Sequence, residues 1–288
     1  MGMYRWTGGD ISLKVLKLFR RDISMGIYRN CMLLLIPIIV SIAQCYECHN
    51  LISYLNAEEL LKTGGTILDY YMYCMQGMFV FHFDPREYFT IPIYWFVFQI
   101  CISYFIGYYS YQDFIENGRN IFLAIKDRRS WWNSKCLWCI SAVVLNYIIF
   151  GVFTILSATF WGAELRLSYT VDFVSRVFDA NMVHMSSGEV VLVSFILPCI
   201  VTIGLCLFQI LIGFLTTPVF AFACMCGVYV LSAYYTEWFL LGNYTMWLRS
   251  TYLTVEGVNP ISGLILGVTL SVCVWCIGRI YFENKDIL

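Results

Sequence analysis

VVLVSFILPCIVTIGLCLFQILIGFLTTPVFAFACMCGVYVLSAYYTEW, residues 190–238, carries one formal charge, at Glu237. A helix crossing a bilayer needs roughly 20 apolar residues, so a run of about 50 is long enough for two. Gly213 and Pro218 punctuate it, and the run reads as two helices, 190–215 and 218–238, folded back on each other. The hydrophobicity is continuous. A lipid interior accepts only helices and closed barrels, and barrel strands alternate apolar with polar residues. Helices are therefore expected.

Four more apolar runs lie at 27–46, 88–111, 136–161 and 260–281. The expectation is an all-α integral membrane protein with six transmembrane helices, a single transmembrane domain over 1–288. Composition agrees: 60% of residues are hydrophobic and mean hydropathy is +0.70. Only 13% are charged, against about 25% in a soluble domain. The first run follows 26 residues and is not trailed by an A-x-A-like site, so it reads as a retained helix rather than a cleaved leader. Most of the 13 cysteines fall within the runs, where they act as small apolar fillers. A net charge of −1 gives no reason to expect nucleic acid.

Lysine and arginine sort the connecting segments. Arg5, Lys14, Lys17, Arg20, Arg21 and Arg29 precede the first run; Arg119, Lys126, Arg128, Arg129 and Lys135 lie between the second and third; Arg279 and Lys285 close the chain. The opposite side has only Lys62, Arg86, Arg166, Arg176 and Arg249. The basic side is expected to be cytoplasmic, with both termini on it. The outer segments are acidic, and Asn56-Ala-Glu-Glu59 reads as the start of a short outer helix capped by Asn56. In residues 11–22, ISLKVLKLFRRD, a 100° repeat places Ile11, Val15, Leu18 and Phe19 on one face and Lys14, Lys17, Arg20 and Arg21 on the other. That pattern suits an amphipathic helix lying at the lipid interface.

Ion-driven pumps keep titratable groups inside their spans, and here the middles of the runs lack them. The sequence suggests no catalytic residues, no metal site and no cofactor held by this chain. The Gly-rich piece Lys62-Thr-Gly-Gly-Thr66 lacks phosphate-loop spacing. Energy is expected to come through a docked partner, and the inner segment 112–135 is the place to dock it. Asn117-Gly118 reads there as a turn. A short helix over 120–126 then presents Ile121, Phe122 and Ile125 beside Lys126, Arg128 and Arg129, and Trp131 and Trp132 read as headgroup anchors.

The order of these features resembles the type-2 permease family of ATP-binding-cassette exporters. The resemblance is carried by the basic amphipathic helix, Glu116-Asn-Gly-Arg-Asn120, Arg128-Arg-Ser-Trp-Trp-Asn-Ser-Lys135, Glu237-Trp-Phe-Leu-Leu-Gly-Asn-Tyr-Thr-Met-Trp-Leu-Arg-Ser250, Val258-Asn-Pro260 and Tyr281-Phe-Glu-Asn-Lys-Asp-Ile-Leu288. It implies a second permease subunit, identical or homologous, and a soluble ATP-binding-cassette ATPase subunit that holds ATP and Mg. It makes Asn117, Gly118, Arg119, Asn120, Ile121, Phe122, Ile125, Lys126, Arg128 and Arg129 the coupling element. Lys14, Lys17, Phe19, Arg20 and Arg21 become the connecting helix. A re-entrant segment between the fifth and sixth spans would include Glu237, Gly242 and Asn243. Members of the family export peptides, drugs or lipid-linked glycans, and Gram-positive members of this appearance are often tied to antimicrobial-peptide export or immunity. The aromatic, hydroxyl-poor spans favour an amphipathic peptide, drug or lipid-like cargo. The alternative is a sensory subunit of a resistance complex, docking the same ATPase without transporting anything.

Two short patterns stand apart. Cys45-Tyr-Glu-Cys-His49 matches c-type haem attachment, but five residues match easily in a cysteine-rich chain. Free thiols, or a disulfide among Cys45, Cys48 and Cys74, are the plainer readings. Asn243-Tyr-Thr245 is a glycosylation sequon if that segment is exposed.

Overall fold

The computed structural model describes residues 11–28, 31–61, 64–82, 89–125, 127–178 and 185–284, with the side chains of residues 11, 12, 28, 32, 33 and 119–125 set aside. Among the described residues the chain is helical, with isolated bridges but no strand. Helix α1 (Ile11–Ile23) leads through a π turn and a 3₁₀ turn to α2 (Leu35–Ala57). Short α3 (Ile67–Cys74) precedes two 33-residue helices, α4 (Ile93–Ile125) and α5 (Arg128–Phe160). Then come α6 (Val171–Val177), α7 (Ser187–Val191), α8 (Leu197–Leu215), α9 (Pro218–Tyr234) and α10 (Pro260–Asn284). Among the described residues four rods are long and apolar enough to cross a membrane: α2, α5, α7 with α8 (Ser187–Leu215), and α10. Their outward side chains, such as Ile39, Val152, Leu156, Ile265 and Val272, are exposed and apolar, as a lipid-facing surface requires.

The punctuation in 190–238 works as expected. Helix α8 stops at Leu215, and Thr217 caps α9, its hydroxyl accepting from Phe220 N at 3.3 Å with Pro218 in the first turn. Proline needs no donor at that position. Earlier in the same rod, Pro198 cannot supply the N–H that the preceding turn would accept, and the helix absorbs the defect as a π turn at Leu192–Ile196. Helices α8 and α10 pack backbone to backbone: a Cβ on Gly204 would lie 3.0 Å from the Gly267 carbonyl oxygen. Small residues permit such approach between membrane helices.

Three expected boundaries move. Helix α2 begins later than 27 and runs past 46 to Ala57, because Cys45, Cys48, Ile52 and Leu55 continue its buried face. Asn56 therefore ends a helix instead of starting one; Glu59 takes φ +56°, and the Leu60 and Leu61 amides return to the Leu55 carbonyl. The short helix that does form in this connection is α3, whose capping box pairs Thr66 with Asp69. There is also no turn at Asn117-Gly118, since α4 continues through it to Ile125. A mid-helix glycine costs only about 1 kcal/mol, and Asn117 donates to Asp113 Oδ1 at 3.1 Å, four residues back along the helix. Asp127 then caps α5, accepting from the Arg129 amide and the Ser130 hydroxyl. The expected loop 112–135 is in fact the tip of a helical hairpin.

The tryptophans are core rather than anchors. Trp131, Trp132 and Trp138 are 1%, 0% and 0% exposed. Trp131 stacks among Phe114, Phe214 and Phe282, and Trp132 donates to the Trp275 carbonyl beside Gly278. The ends of α4, α5, α8 and α10 nearest the α4–α5 connection are thus joined by aromatic rings.

Candidate functional site

Helix α4 presents a polar stripe to the interior, a residue every three or four positions. Trp95 Nε1 donates to Thr245 Oγ1 at 2.9 Å. One turn on, Gln99, Tyr147 and Thr202 close a three-membered hydrogen-bond ring linking α4, α5 and α8, at 3.0, 3.0 and 3.1 Å. Ser103 meets the Tyr229 hydroxyl of α9 at 3.4 Å. The stripe passes Gly107 and Ser110 and ends at Asp113, beyond the apolar part of α4.

Asp113 belongs to a buried charge network joining α1, α4 and α5. Lys135 Nζ reaches Asp22 Oδ1 at 2.9 Å and Asp113 Oδ2 at 2.6 Å. Arg21 bonds the same two carboxylates at 2.9 and 2.5 Å. Asp22 also accepts from Ser134 Oγ at 2.8 Å and from the Tyr109 hydroxyl at 3.3 Å. The Lys135 ammonium also lies 4.8 Å from the Tyr109 ring centre. Two cations and two anions balance, which is the condition for burying charge at all. Burial by itself raises the Asp113 carboxyl, but Lys135 and Arg21 outweigh it and hold it below the usual carboxylate range. Burial opposes the Arg21 charge, and Asp22 and Asp113 more than restore it.

The opposite end holds a different arrangement. Arg249, 0% exposed, has no carboxylate partner among the described residues. Its guanidinium donates to the Ser232 carbonyl, to Ala233 O at 2.5 Å and Tyr235 O at 3.2 Å, to Met78 O and Phe79 O at 3.4 and 3.2 Å, and to Asn243 Oδ1 at 2.6 Å. Ser232 and Ala233 are in the last turn of α9, where carbonyls lack helical partners and the dipole is negative. Arg249 is thus the cap of α9 and clamps 235–250 onto it. Nearby, the buried Asp69 carboxylate accepts from Thr66 N at 2.9 Å, Thr170 N at 2.8 Å and the Thr170 hydroxyl at 2.7 Å. Burial lifts it above the usual range despite those bonds.

The residues singled out from sequence divide between these ends. Arg21 does not face headgroups with the other α1 cations; it turns into the network, while Lys17 and Arg20 stay exposed and Phe19 packs inward. Lys14 is half-buried. Asn117 and Gly118 lie inside α4, and Arg129 pairs with Glu283 at the exposed rim. Arg119, Asn120, Ile121, Phe122 and Ile125 are placed as helix backbone only, and Lys126 lies outside the described residues. At the other end Glu237 is exposed, Gly242 is buried, and Asn243 is fully buried, its amide donating to Tyr235 O and Glu237 O. The sequon is therefore closed to glycosylation in the folded chain. Cys45 and Cys48 are buried and unbridged, Cys45 Sγ lies 3.7 Å from Cys74 Sγ, and His49 is stacked on Trp161. Both thiols that a haem would attach to are enclosed in the core.

Asp22, the partners of Lys135 and the Arg249 cage escaped the sequence reading. Asp22 is the one acid in a basic run, and Arg249 the one base in an aromatic segment; those isolated signs were the available signal. No protein-family model matches the chain, and no curated protein matches it in sequence.

Proposed function

We infer that the chain is the transmembrane permease subunit of an ATP-driven exporter, moving an amphipathic peptide, drug or lipid-like cargo out of the cell by alternating access. Hydrolysis takes place in a separate soluble ATPase, and two permease subunits pair. On this reading the six spans are α2, α4, α5, α7 with α8, α9 and α10, and 237–250 is the re-entrant piece. Both termini are cytoplasmic, in a bacterial cell membrane.

The observation that carries the proposal is the α4–α5 hairpin. Two helices of 33 residues are each about 50 Å long, against a hydrocarbon core of ~30 Å. The surplus lies at the polar tip, on the side richest in lysine and arginine. A soluble partner gripping that tip acts on two rigid levers instead of a slack loop, and the Lys135 network passes their displacement to α1.

The test is reconstitution with the neighbouring ATPase. Gly118→Pro, which breaks α4 below the tip, is expected to abolish the stimulation of ATP hydrolysis while leaving membrane insertion intact. Unchanged stimulation would remove the hairpin as the docking element. Cargo accumulating in vesicles on ATP addition separates the exporter from a sensory subunit, for which hydrolysis proceeds without flux.

A further inference from the structure

Between α4, α8 and α9, one turn from Asp113, lies a cavity of about 10 Å³ lined by Gly107, Ser110, Gln209, Gly213 and Ala221 among others. Two of its polar atoms, Ser110 Oγ and Gln209 Oε1, are buried without a hydrogen-bond partner. Their residues are 1% and 2% exposed. The Gln209 amide reaches across to α4 because residue 107 is glycine: a Cβ there would come within 2.5 Å of Nε2. A buried polar atom left bare is costly. A space near 10–15 Å³ with at least two polar partners is what a single buried water occupies.

We propose that this cavity is a binding site for one water molecule, accepting from the Ser110 hydroxyl and donating to Gln209 Oε1. The two side chains supply one donor and one acceptor, the complement of water's own groups. The site differs in kind from the Gly204–Gly267 contact on the far side of α8. That contact is dry and fixed by backbone shape. A water-bridged contact re-forms as α4 shifts against α8, leaving neither polar atom bare.

A double-mutant cycle on the full chain in lipid nanodiscs tests the site, using Ser110→Ala and the near-isosteric Gln209→Met. Both changes are small enough to leave the bundle folded. With a bridging water, each single change lowers the melting temperature by roughly 3 °C, and the double variant falls no further than the worse single, because the same water is lost once. In a dry cavity each substitution deletes an unsatisfied atom, so the singles hold or raise the melting temperature. Singles that destabilise but add independently would also overturn the proposal. A density map at about 2 Å resolution decides separately: a peak within hydrogen-bond distance of both atoms is expected, and an empty cavity refutes the site.

Discussion

Lys135 and Arg249 are both fully buried cations, at opposite ends of the bundle, and their surroundings differ in kind. Lys135 is held by carboxylates from two other helices. Arg249 is held mostly by backbone carbonyls, those of α9 and of residues 78 and 79. The same division applies to the acids: Asp113 answers to cations, whereas the partners of Asp69 among the described residues are amides and hydroxyls. A network of paired charges depends on the mutual position of whole helices, and separating them exposes every member. A backbone cage holds the main-chain segments it touches, here the end of α9, 235–250 and residues 78 and 79, without a counter-charge. The Lys135 network therefore ties together the positions of α1, α4 and α5, and the Arg249 cage ties main-chain segments at the other end.

The largest effect is expected from Lys135→Met. Removing one member of a buried ion network costs about 3–5 kcal/mol, roughly 10 °C in melting temperature for a chain of this size. Adding Asp22→Asn leaves Arg21 facing Asp113 as a balanced pair and is expected to recover most of the loss. A double variant as weak as the single would show that charge balance is not what matters. Next comes Arg249→Leu, which strands several carbonyls and is expected to cost about 1–3 kcal/mol. Hydrogen exchange should rise in the last turn of α9 and in 235–250 but not at the Lys135 end; a uniform rise would erase the distinction between cage and network.

Acidity should separate the two ends more gently. Asp69 has its folded value raised, so its share of stability is fully present below the ordinary aspartate pKa of about 3.9 and is lost as pH rises through the raised value. Asp113 has its folded value depressed, so its share is present above about 3.9 and is lost as pH falls through the depressed value. Asp69→Asn is expected to flatten the melting curve against pH in mild acid without altering the drop in strong acid. A flat wild-type profile above pH 4 would contradict the assignment of Asp69. The smallest effect is reserved for Arg129→Ala: its ion pair with Glu283 is exposed, such pairs contribute little, and no resolvable change in melting temperature is expected.

The long apolar runs and the fold-back at 213–218 were legible because they follow from composition and from glycine and proline alone. The hairpin was not. Asn117-Gly118 is a strong local turn signal, yet α4 continues through it, with Asp113 accepting from Asn117 one turn on and from Lys135 of α5. Once α4 is allowed to run straight, Asp113 comes level with Lys135 and the network becomes visible; with a turn in between, the two look unrelated. The Arg249 cage was unreadable for another reason. Its partners are main-chain atoms, which carry no residue identity.

The most direct measurement is the native mass of the complex extracted from its own membrane in mild detergent. Two permease chains with two copies of a soluble ATPase are the expected composition, with ATP hydrolysis lost when the tip of the α4–α5 hairpin is cut. This chain migrating alone, with no nucleotide-hydrolysing subunit attached, would contradict the assignment.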